Sequence, residues 1–352
     1  MLSENLLTLI FNYLKFNEYS KFLDLQYCNI DLSDNDKMLF ENFITVLPLA
    51  IGINLKLFKD EYINSLTHIQ FLNISECNIN ILPKELFQLQ LKLIDCSRNE
   101  ITEIPAEIGN CKKLEKFNCS FNKVAVIPSD ICKLINMQNF YCNNNQVAVI
   151  PSEINKLINL QEFYCYENNI TIIPSEIGNC MNLQIFNCND NKITAIPSEI
   201  GNCVNLQKYQ CSINQITVIP VDIGKLINLR VFKCLFNKIT IIPSEIGDCE
   251  NLQEFVCCFN KITIIPSDIG KLINLKYFNC SNNQITIIPP DIGKLINLEK
   301  FNCCGNNNQT TVIPKEIGNC IKLREFYCTN AERIPTEIRN CINLKILCCI
   351  NI

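Results

Sequence analysis

Apolar and polar positions recur along this chain in one motif, L-x-x-F-x-C-x-x-N-x-I-x-x-I-P-x-E-I-G. One copy runs from Leu160 to Cys180. The alternation in F-x-C predicts a short strand with Phe and Cys on one face. The following Asn is suited to a turn. The I-P-S-E-I-G segment predicts one short helical turn, with proline in its first turn, an acidic residue near its positive end and glycine at its end.

The spacing of the motif predicts the architecture. From Pro105 to Pro289 a proline recurs every 23 residues, and Pro83, Pro314 and Pro335 continue the series at slightly different spacings. A repeat of this length, with one buried face per unit, is typical of a solenoid. Solenoids usually present an extended surface to other macromolecules, so we expect a binding protein.

The units resemble leucine-rich repeats, with Cys or Phe at positions where that family usually has Leu. The I-P-x-E-I-G-x-L-x-N-L half is similar to the intracellular Ras-group class. The resemblance covers residues from Ile69 to the end of the chain. It implies an α/β fold: a curved solenoid of about 12 to 13 repeats over residues 69–352, with a parallel sheet on its concave face, where partners bind. Residues 1–68 do not fit the repeat, and we expect a mainly helical N-terminal cap there.

The composition limits the classes of partner that we expect this chain to bind. The net charge is −4 and the isoelectric point is near 5.3, without a cluster of basic residues. Electrostatic binding to nucleic acid or to an anionic membrane is therefore not expected. No apolar run has the length of a membrane-spanning helix, and the first residues lack the features of a signal peptide. We expect a cytoplasmic protein with a protein partner, and the family resemblance allows a partner from a small-GTPase pathway.

The chain has 24 cysteines, and most of them occupy two columns of the repeat. One column follows the Phe of F-x-C. The other shares its position with leucine, which indicates a small buried hydrophobe. There is no C-x-x-C motif and a single histidine, His68. We therefore predict a reduced, packed core with no metal and no cofactor. The two columns are Cys96, Cys119, Cys142, Cys165, Cys188, Cys211, Cys234, Cys257, Cys280, Cys303, Cys328 and Cys349, and Cys111, Cys180, Cys203, Cys249, Cys320 and Cys341.

The asparagine and acidic columns have structural explanations. We expect the asparagines at 23-residue intervals from Asn99 to Asn283 to satisfy backbone groups between repeats. The acidic residues from Glu85 to Glu337 fit the first turn of each helical segment. Neither a phosphate-binding glycine loop nor a nucleophile paired with a base is present. The chain is therefore predicted not to be an enzyme.

Partner binding is expected where the repeats differ. If Phe and Cys point inward, the residues around them lie on the concave side. Two stretches there are aromatic or apolar, which is typical of interaction sites. The predicted partner-binding residues are Tyr141, Tyr164 and Tyr166 in the first stretch, and Val231, Lys233, Leu235, Phe236, Val256 and Phe259 in the second, with Cys258 beside them.

The N-terminal segment offers a second function. Leu6, Leu7, Ile10, Phe11 and Leu14 fall in a segment that resembles the opening of an F-box, although the proline and tryptophan of that motif are missing. The resemblance implies a substrate receptor of a cullin-type ubiquitin ligase, with this segment holding a Skp-type adaptor. The same spacing is also that of an amphipathic helix packed on the first repeat.

The last unit has a strand-like stretch, L-x-x-L-x-C at residues 344–349, but no proline half. An open strand edge with apolar neighbours favours pairing with another edge. The sequence therefore predicts self-association through the C-terminal repeat.

Overall fold

The computed structural model describes residues 22–24, 70–82, 84–306, 312–329 and 334–350. The chain divides into two compact units, Met1–Leu160 and Gln161–Ile352. Most of the predicted N-terminal cap, the F-box-like segment and His68 lie outside the described residues. One strand, β1 at Phe22–Asp24, occurs within the segment predicted to be mainly helical, and it pairs in parallel with β2 at Phe71–Asn73.

Each unit carries a parallel sheet in which strands that are consecutive in sequence are neighbours. The strands of the first unit are β1 (Phe22–Asp24), β2 (Phe71–Asn73), β3 (Leu93–Asp95), β4 (Lys116–Asn118) and β5 (Asn139–Tyr141). Those of the second unit are β6 (Glu162–Tyr164), β7 (Ile185–Asn187), β8 (Lys208–Gln210), β9 (Val231–Lys233), β10 (Glu254–Val256), β11 (Tyr277–Asn279), β12 (Lys300–Asn302), β13 (Glu325–Thr329) and β14 (Ile346–Ile350).

In the strands from β2 to β12, the middle residue points into the core. Phe232 of β9 lies opposite Phe255 of β10, and their rings stack at 5.6 Å between centroids. Both side chains are fully buried, as are Cys234 and Cys257, the cysteines that follow these two strands. The prediction that Phe and Cys of F-x-C point inward is confirmed. In β8 this position is taken by Tyr209, which is also fully buried.

Each repeat of the motif forms one coil of the fold, and buried asparagines join successive coils. The backbone N–H of Ile170 donates to Asn191 Oδ1 at 2.9 Å. Asn191 Nδ2 in turn lies 3.0 Å from the carbonyl of Cys165 in the preceding coil and 3.2 Å from that of Cys188 in its own coil. One amide thus satisfies backbone groups on two coils, which confirms the prediction for this column.

A second asparagine column was not predicted. Asn205 Nδ2 donates to the carbonyl of Met181 at 2.9 Å, and both residues are exposed. The same bond between coils recurs along the chain. Its other donors are Asn136, Asn159, Asn228, Asn251, Asn274, Asn297 and Asn343.

The predicted helical turns are five-residue 3₁₀ turns. The N–H of Ile177 donates to the carbonyl of Pro174, and that of Cys180 donates to Ile177, both at three-residue spacing. Pro174 has extended backbone (φ −65°, ψ 143°) and precedes the turn, so the expectation that proline occupies the first turn is shifted by one residue. The turns are Lys84–Gln88, Ala106–Asn110, Ser129–Lys133, Ser152–Lys156, Ser175–Asn179, Ser198–Asn202, Val221–Lys225, Ser244–Asp248, Ser267–Lys271, Pro290–Lys294, Lys315–Asn319 and Thr336–Asn340.

The glycine of the I-G position lies next to last in the turn, as expected, and it also serves close packing between coils. A Cβ on Gly270 would lie 2.8 Å from the backbone oxygen of Asp291 in the next coil. Real Cβ atoms essentially never come so close to another heavy atom. The backbone of Gly270 is ordinary, so here glycine is needed for space, and its conformational freedom is not required.

The two cysteine columns form contacts in opposite directions along the solenoid. Cys188 donates its thiol to the carbonyl of Gln210 in the following coil at 3.4 Å, whereas Cys249 donates to Ile223 of the preceding coil at 3.2 Å. Burial raises the pKa of the Cys249 thiol to about 12. The described members of both columns are buried except Cys349, so the prediction that cysteines pack in the core is confirmed for the rest.

We predict that the two asparagine columns differ in their contribution to stability. Asn191→Ala leaves buried backbone groups unsatisfied and should lower the free energy of unfolding by about 3 kcal/mol. Asn205→Ala removes a similar amide from an exposed position and should lower it by less than about 1 kcal/mol. Urea unfolding monitored by circular dichroism measures both. Equal losses in the two variants would contradict the assignment of the buried column as the main link between coils.

The buried thiols predict a loss of stability at alkaline pH. The pKa of Cys249 is about 12 in the folded state against an ordinary value of 9.0, so folding favours the protonated thiol. The stabilisation that this protonated thiol gives the folded state is fully present below pH 9 and is lost as the pH rises towards 12. Leucine occupies the same position in other coils, which makes Cys249→Leu a matched variant.

Under reducing conditions, the wild type should therefore lose about 1.4 kcal/mol relative to Cys249→Leu for each pH unit above 9. Denaturant titrations at pH 8, 9.5 and 10.5 measure this difference. Parallel curves for the two proteins across this range would show that the Cys249 thiol is not protected by folding.

Candidate protein-binding surface

Three positions in each coil surround the buried Phe and Cys: the first and third strand residues and the residue after the cysteine. In the coil of β9 these are Val231, Lys233 and Leu235, all of which are half-buried. The next coil contributes Glu254, whose carboxylate lies 2.9 Å from Lys233 Nζ. This solvent-facing side of the sheet is the one on which the partner-binding residues were predicted.

The predicted tyrosines are distributed over the two units. In the second unit, the rings of Tyr164 and Tyr166 meet edge to face, with centroids 6.4 Å apart. Burial raises the pKa of the Tyr164 phenol, and the nearby Glu162 carboxylate raises it further. Tyr141 belongs to the first unit, where Lys116 Nζ lies 5.1 Å from the centroid of its ring.

The structure separates the predicted apolar stretch into covered and exposed members. Val256 and Cys258 are 6% and 3% exposed, so the expectation that they lie open on the sheet face is wrong. Phe236 and Phe259 are 47% and 43% exposed, and their rings stack with centroids 4.1 Å apart. The accessible part of the stretch is therefore this aromatic pair with Val231, Lys233 and Leu235.

Phe236 and Phe259 have left-handed backbone, with φ of 51° and 53°. Ile213 occupies the same position one coil earlier, with φ 53° and 48% exposure. We call these three residues the αL ridge. A bulky or β-branched residue is uncommon at positive φ and carries a cost of about 1 kcal/mol or more. The αL ridge thus combines three exposed apolar side chains with unfavourable backbone.

Sequence reasoning missed Ile213 and the backbone conformation of the whole column. The column also holds Arg98, Phe121 and Glu167 at positive φ. A signal was nevertheless present, because the position before the column asparagine holds Asn144, Asp190, Asn282 and Gly305 in other coils. These residue types are the ones that tolerate left-handed backbone. Phe121 of the first unit is also apolar and exposed, and the Arg98 guanidinium lies 4.5 Å from the centroid of its ring. The αL ridge differs in having apolar residues at this position in three consecutive coils.

Two further apolar columns lie on the flanks of the coils. In the I-T-I-I-P segment, Ile241 and Ile264 are 63% and 68% exposed. The backbone there is bonded from coil to coil, as in the 3.1 Å bond from the N–H of Ile288 to the carbonyl of Val312. β-branched residues suit such extended backbone. The other column includes Ile227, Ile273 and Ile296. Both columns recur in most coils, and the repeat itself accounts for them.

No described group of three or more His, Cys, Asp or Glu side chains has the arrangement of a metal site. Among the described residues, no helix is long and apolar enough to cross a membrane. The αL ridge and the adjoining sheet face form the candidate protein-binding surface.

The model of the family described as Leucine Rich repeats (2 copies) matches residues 158–202, 250–290 and 273–315. A leucine-rich-repeat protein of Leptospira interrogans has 29% sequence identity and a TM-score of 0.67, over 83% of this chain and 82% of that one. Leucine-rich repeats are thus found in residues 158–202 and 250–315. No curated protein matches this chain.

Two other solved structures are similar to this one. The plant peptide hormone receptor RGFR1, solved in complex with RGF2, is 27% identical with a TM-score of 0.66, and the match covers 82% of this chain. The present chain spans about half of that receptor, 53%. The functional domain of InlJ from Listeria monocytogenes, which includes a cysteine ladder, is 23% identical with a TM-score of 0.65, over 76% of this chain and 55% of that one.

Proposed function

We propose that this leucine-rich-repeat chain is a non-catalytic protein-binding scaffold, and that its partner contacts the αL ridge and the sheet face of β9. The exposed stack of Phe236 on Phe259 is the observation that carries the proposal. The comparisons indicate no catalytic family.

The αL ridge is not required by the repeat. Asn282 and Gly305 occupy the same position in later coils, where φ is also positive but no large side chain adds strain. Phe at this position exposes apolar surface and is less favourable in the left-handed region. Covering the two rings with a partner removes that apolar area from water at about 25 cal/mol per Å². Binding thus compensates for a residue choice that folding alone does not favour.

The surroundings of the αL ridge determine the kind of protein surface that fits it. Val231 and Leu235 extend the apolar surface onto the sheet face, and the Lys233–Glu254 ion pair lies at its border. An apolar centre with a polar border is typical of protein interfaces. We propose a partner that places an apolar side chain against Phe236 and Phe259 and polar groups near Lys233. The Tyr164–Tyr166 pair provides a second contact area in the same unit.

The similar plant receptor supports the class of function, since it was solved in complex with its ligand RGF2. It does not define this chain's partner. Assignment to the 23-residue Ras-group class, a small-GTPase pathway partner, a contact at Tyr141 and a cytoplasmic location remain predictions. Self-association through the C-terminal repeat also remains a prediction. In that repeat, Ile346 and Leu347 of β14 are 42% and 46% exposed.

We predict that Phe236→Asn weakens partner binding with little change in stability. Asparagine relieves the left-handed strain by about 1 kcal/mol, whereas loss of the ring stack costs about the same. A central aromatic contact is worth at least about 1.4 kcal/mol in binding, which corresponds to a tenfold rise in Kd. Affinity capture identifies the partner, and titration of the purified proteins measures the Kd.

Ile241→Asn is the matched control, because it removes a comparably exposed apolar residue from the flank of the same unit. It should leave the Kd unchanged, and thermal melts should show both variants folded. If the two variants bind the partner equally well, the αL ridge is not the binding surface.

The alternative function, an F-box receptor, depends on residues 6–14, which lie outside the described residues. It predicts that a Skp-type adaptor and a cullin are captured with the wild type. Both should be lost on combined Leu6→Ala, Phe11→Ala and Leu14→Ala substitution, in a protein whose thermal melt is unchanged. Capture of the same partners by both proteins, without an adaptor, would leave the segment without a receptor role.

A further inference from the structure

The strand pair β13–β14 places two thiols in direct contact. Cys328 lies opposite Cys349 in the parallel register, and their Sγ atoms are 2.8 Å apart. In the coils just before, the column thiols donate to backbone instead, with Cys280 Sγ 3.6 Å from the carbonyl of Asn302 and Cys303 Sγ 3.5 Å from that of Tyr327. At Cys328 the nearest partner of the thiol is another sulfur.

The two thiols differ in access. Cys349 is exposed, whereas Cys328 is buried like the rest of its column. A small disulfide in solution can therefore reach Cys349 first. Cys328 is positioned to react only with a group already attached at Cys349. This order, an accessible attacking thiol with a second thiol behind it, suits two-step exchange.

The backbone geometry is compatible with a bond between them. Neighbouring strands lie about 4.8 Å apart. Disulfide-bonded cysteines usually have Cα atoms about 4.4–6.8 Å apart, so directly opposed residues on adjacent strands fall within range. Cys348 alternates to the other face of β14, where it lies opposite Tyr327. The register therefore selects Cys349, not its neighbour, as the partner of Cys328.

We propose that Cys328 and Cys349 are a thiol–disulfide exchange site that forms an intrachain disulfide with a small-molecule disulfide of the glutathione class as oxidant. The Cys349 thiolate attacks one sulfur of the oxidant, the oxidant's S–S bond breaks, and one small thiolate leaves. The Cys328 thiolate then attacks Cys349 Sγ in this mixed disulfide, and the second small thiolate leaves. The protein loses two electrons and two protons, and the small disulfide becomes two thiols.

The product would tie β14 to β13 across a separation of 21 residues. A bond of this kind restricts the unfolded chain and so opposes local opening of the strand pair. Oxidation should accordingly slow amide hydrogen exchange in β14, and a reductant should restore the original rate. This site is independent of the proposed protein-binding surface.

Trypsin separates the candidate thiols. Cleavage after Arg324, Arg333 and Lys345 places Cys328 in residues 325–333 and both Cys348 and Cys349 in residues 346–352, whereas Cys304 lies in residues 301–315. The reduced full-length chain is incubated with oxidised glutathione at pH 8, quenched with acid, digested without reductant and analysed by mass spectrometry. The expected product is a linked pair of the 325–333 and 346–352 peptides that disappears on reduction.

Cys349→Ser and Cys348→Ser form a matched pair at adjacent positions of one strand. The crosslink should be lost in Cys349→Ser and retained in Cys348→Ser. A crosslink that survives in Cys349→Ser, a link to residues 301–315 in its place, or glutathione adducts without any linked peptide would overturn the proposal. A linked peptide found only in a covalent dimer on a non-reducing gel would also overturn the proposal.

Discussion

Each coil of this protein satisfies its buried backbone groups through the coil beside it, and the column asparagines supply the connection. Asn191 accepts from the N–H of Ile170 and donates to carbonyls of its own and the preceding coil. A buried polar group without a partner destabilises the fold strongly, so the side chain at this position is tightly constrained. The stacked Phe rings and the close approach at Gly270 both require coils held at one spacing.

This constraint separates the positions that the repeat needs from those that are free to vary. Phe, Cys, Asn, Pro and Gly recur because each fills space or satisfies a backbone group in every coil. The sheet face and the position before the column asparagine have no such duty, and they differ from coil to coil. The αL ridge lies in the second class, which is why we propose its apolar residues as a binding surface. The flanking Ile and Val columns belong to the positions that recur with the repeat.

The cysteines illustrate how one residue type takes different roles in one fold. In the interior of the column, the thiols are covered, donate to neighbouring carbonyls and have raised pKa values. At β14 the same column reaches solvent, and the contact of Cys328 is with a sulfur. Burial keeps reagents in solution away from a thiol, whereas exposure gives them access to it. Among the described residues, the exchange chemistry that we propose belongs to the Cys328–Cys349 pair.

Periodicity by itself determined the strand, turn and 3₁₀ segments, the inward Phe and Cys, and the asparagine column, because each depends on a local pattern repeated in every coil. Several features depended on neighbouring coils and were decided only by the tertiary structure. Val256 is covered by its surroundings, the glycine position is limited by the next coil, and Phe236 stacks on Phe259 from left-handed backbone. A sequence pattern specifies which face a side chain occupies. The area left exposed and the contact across coils follow from three-dimensional packing.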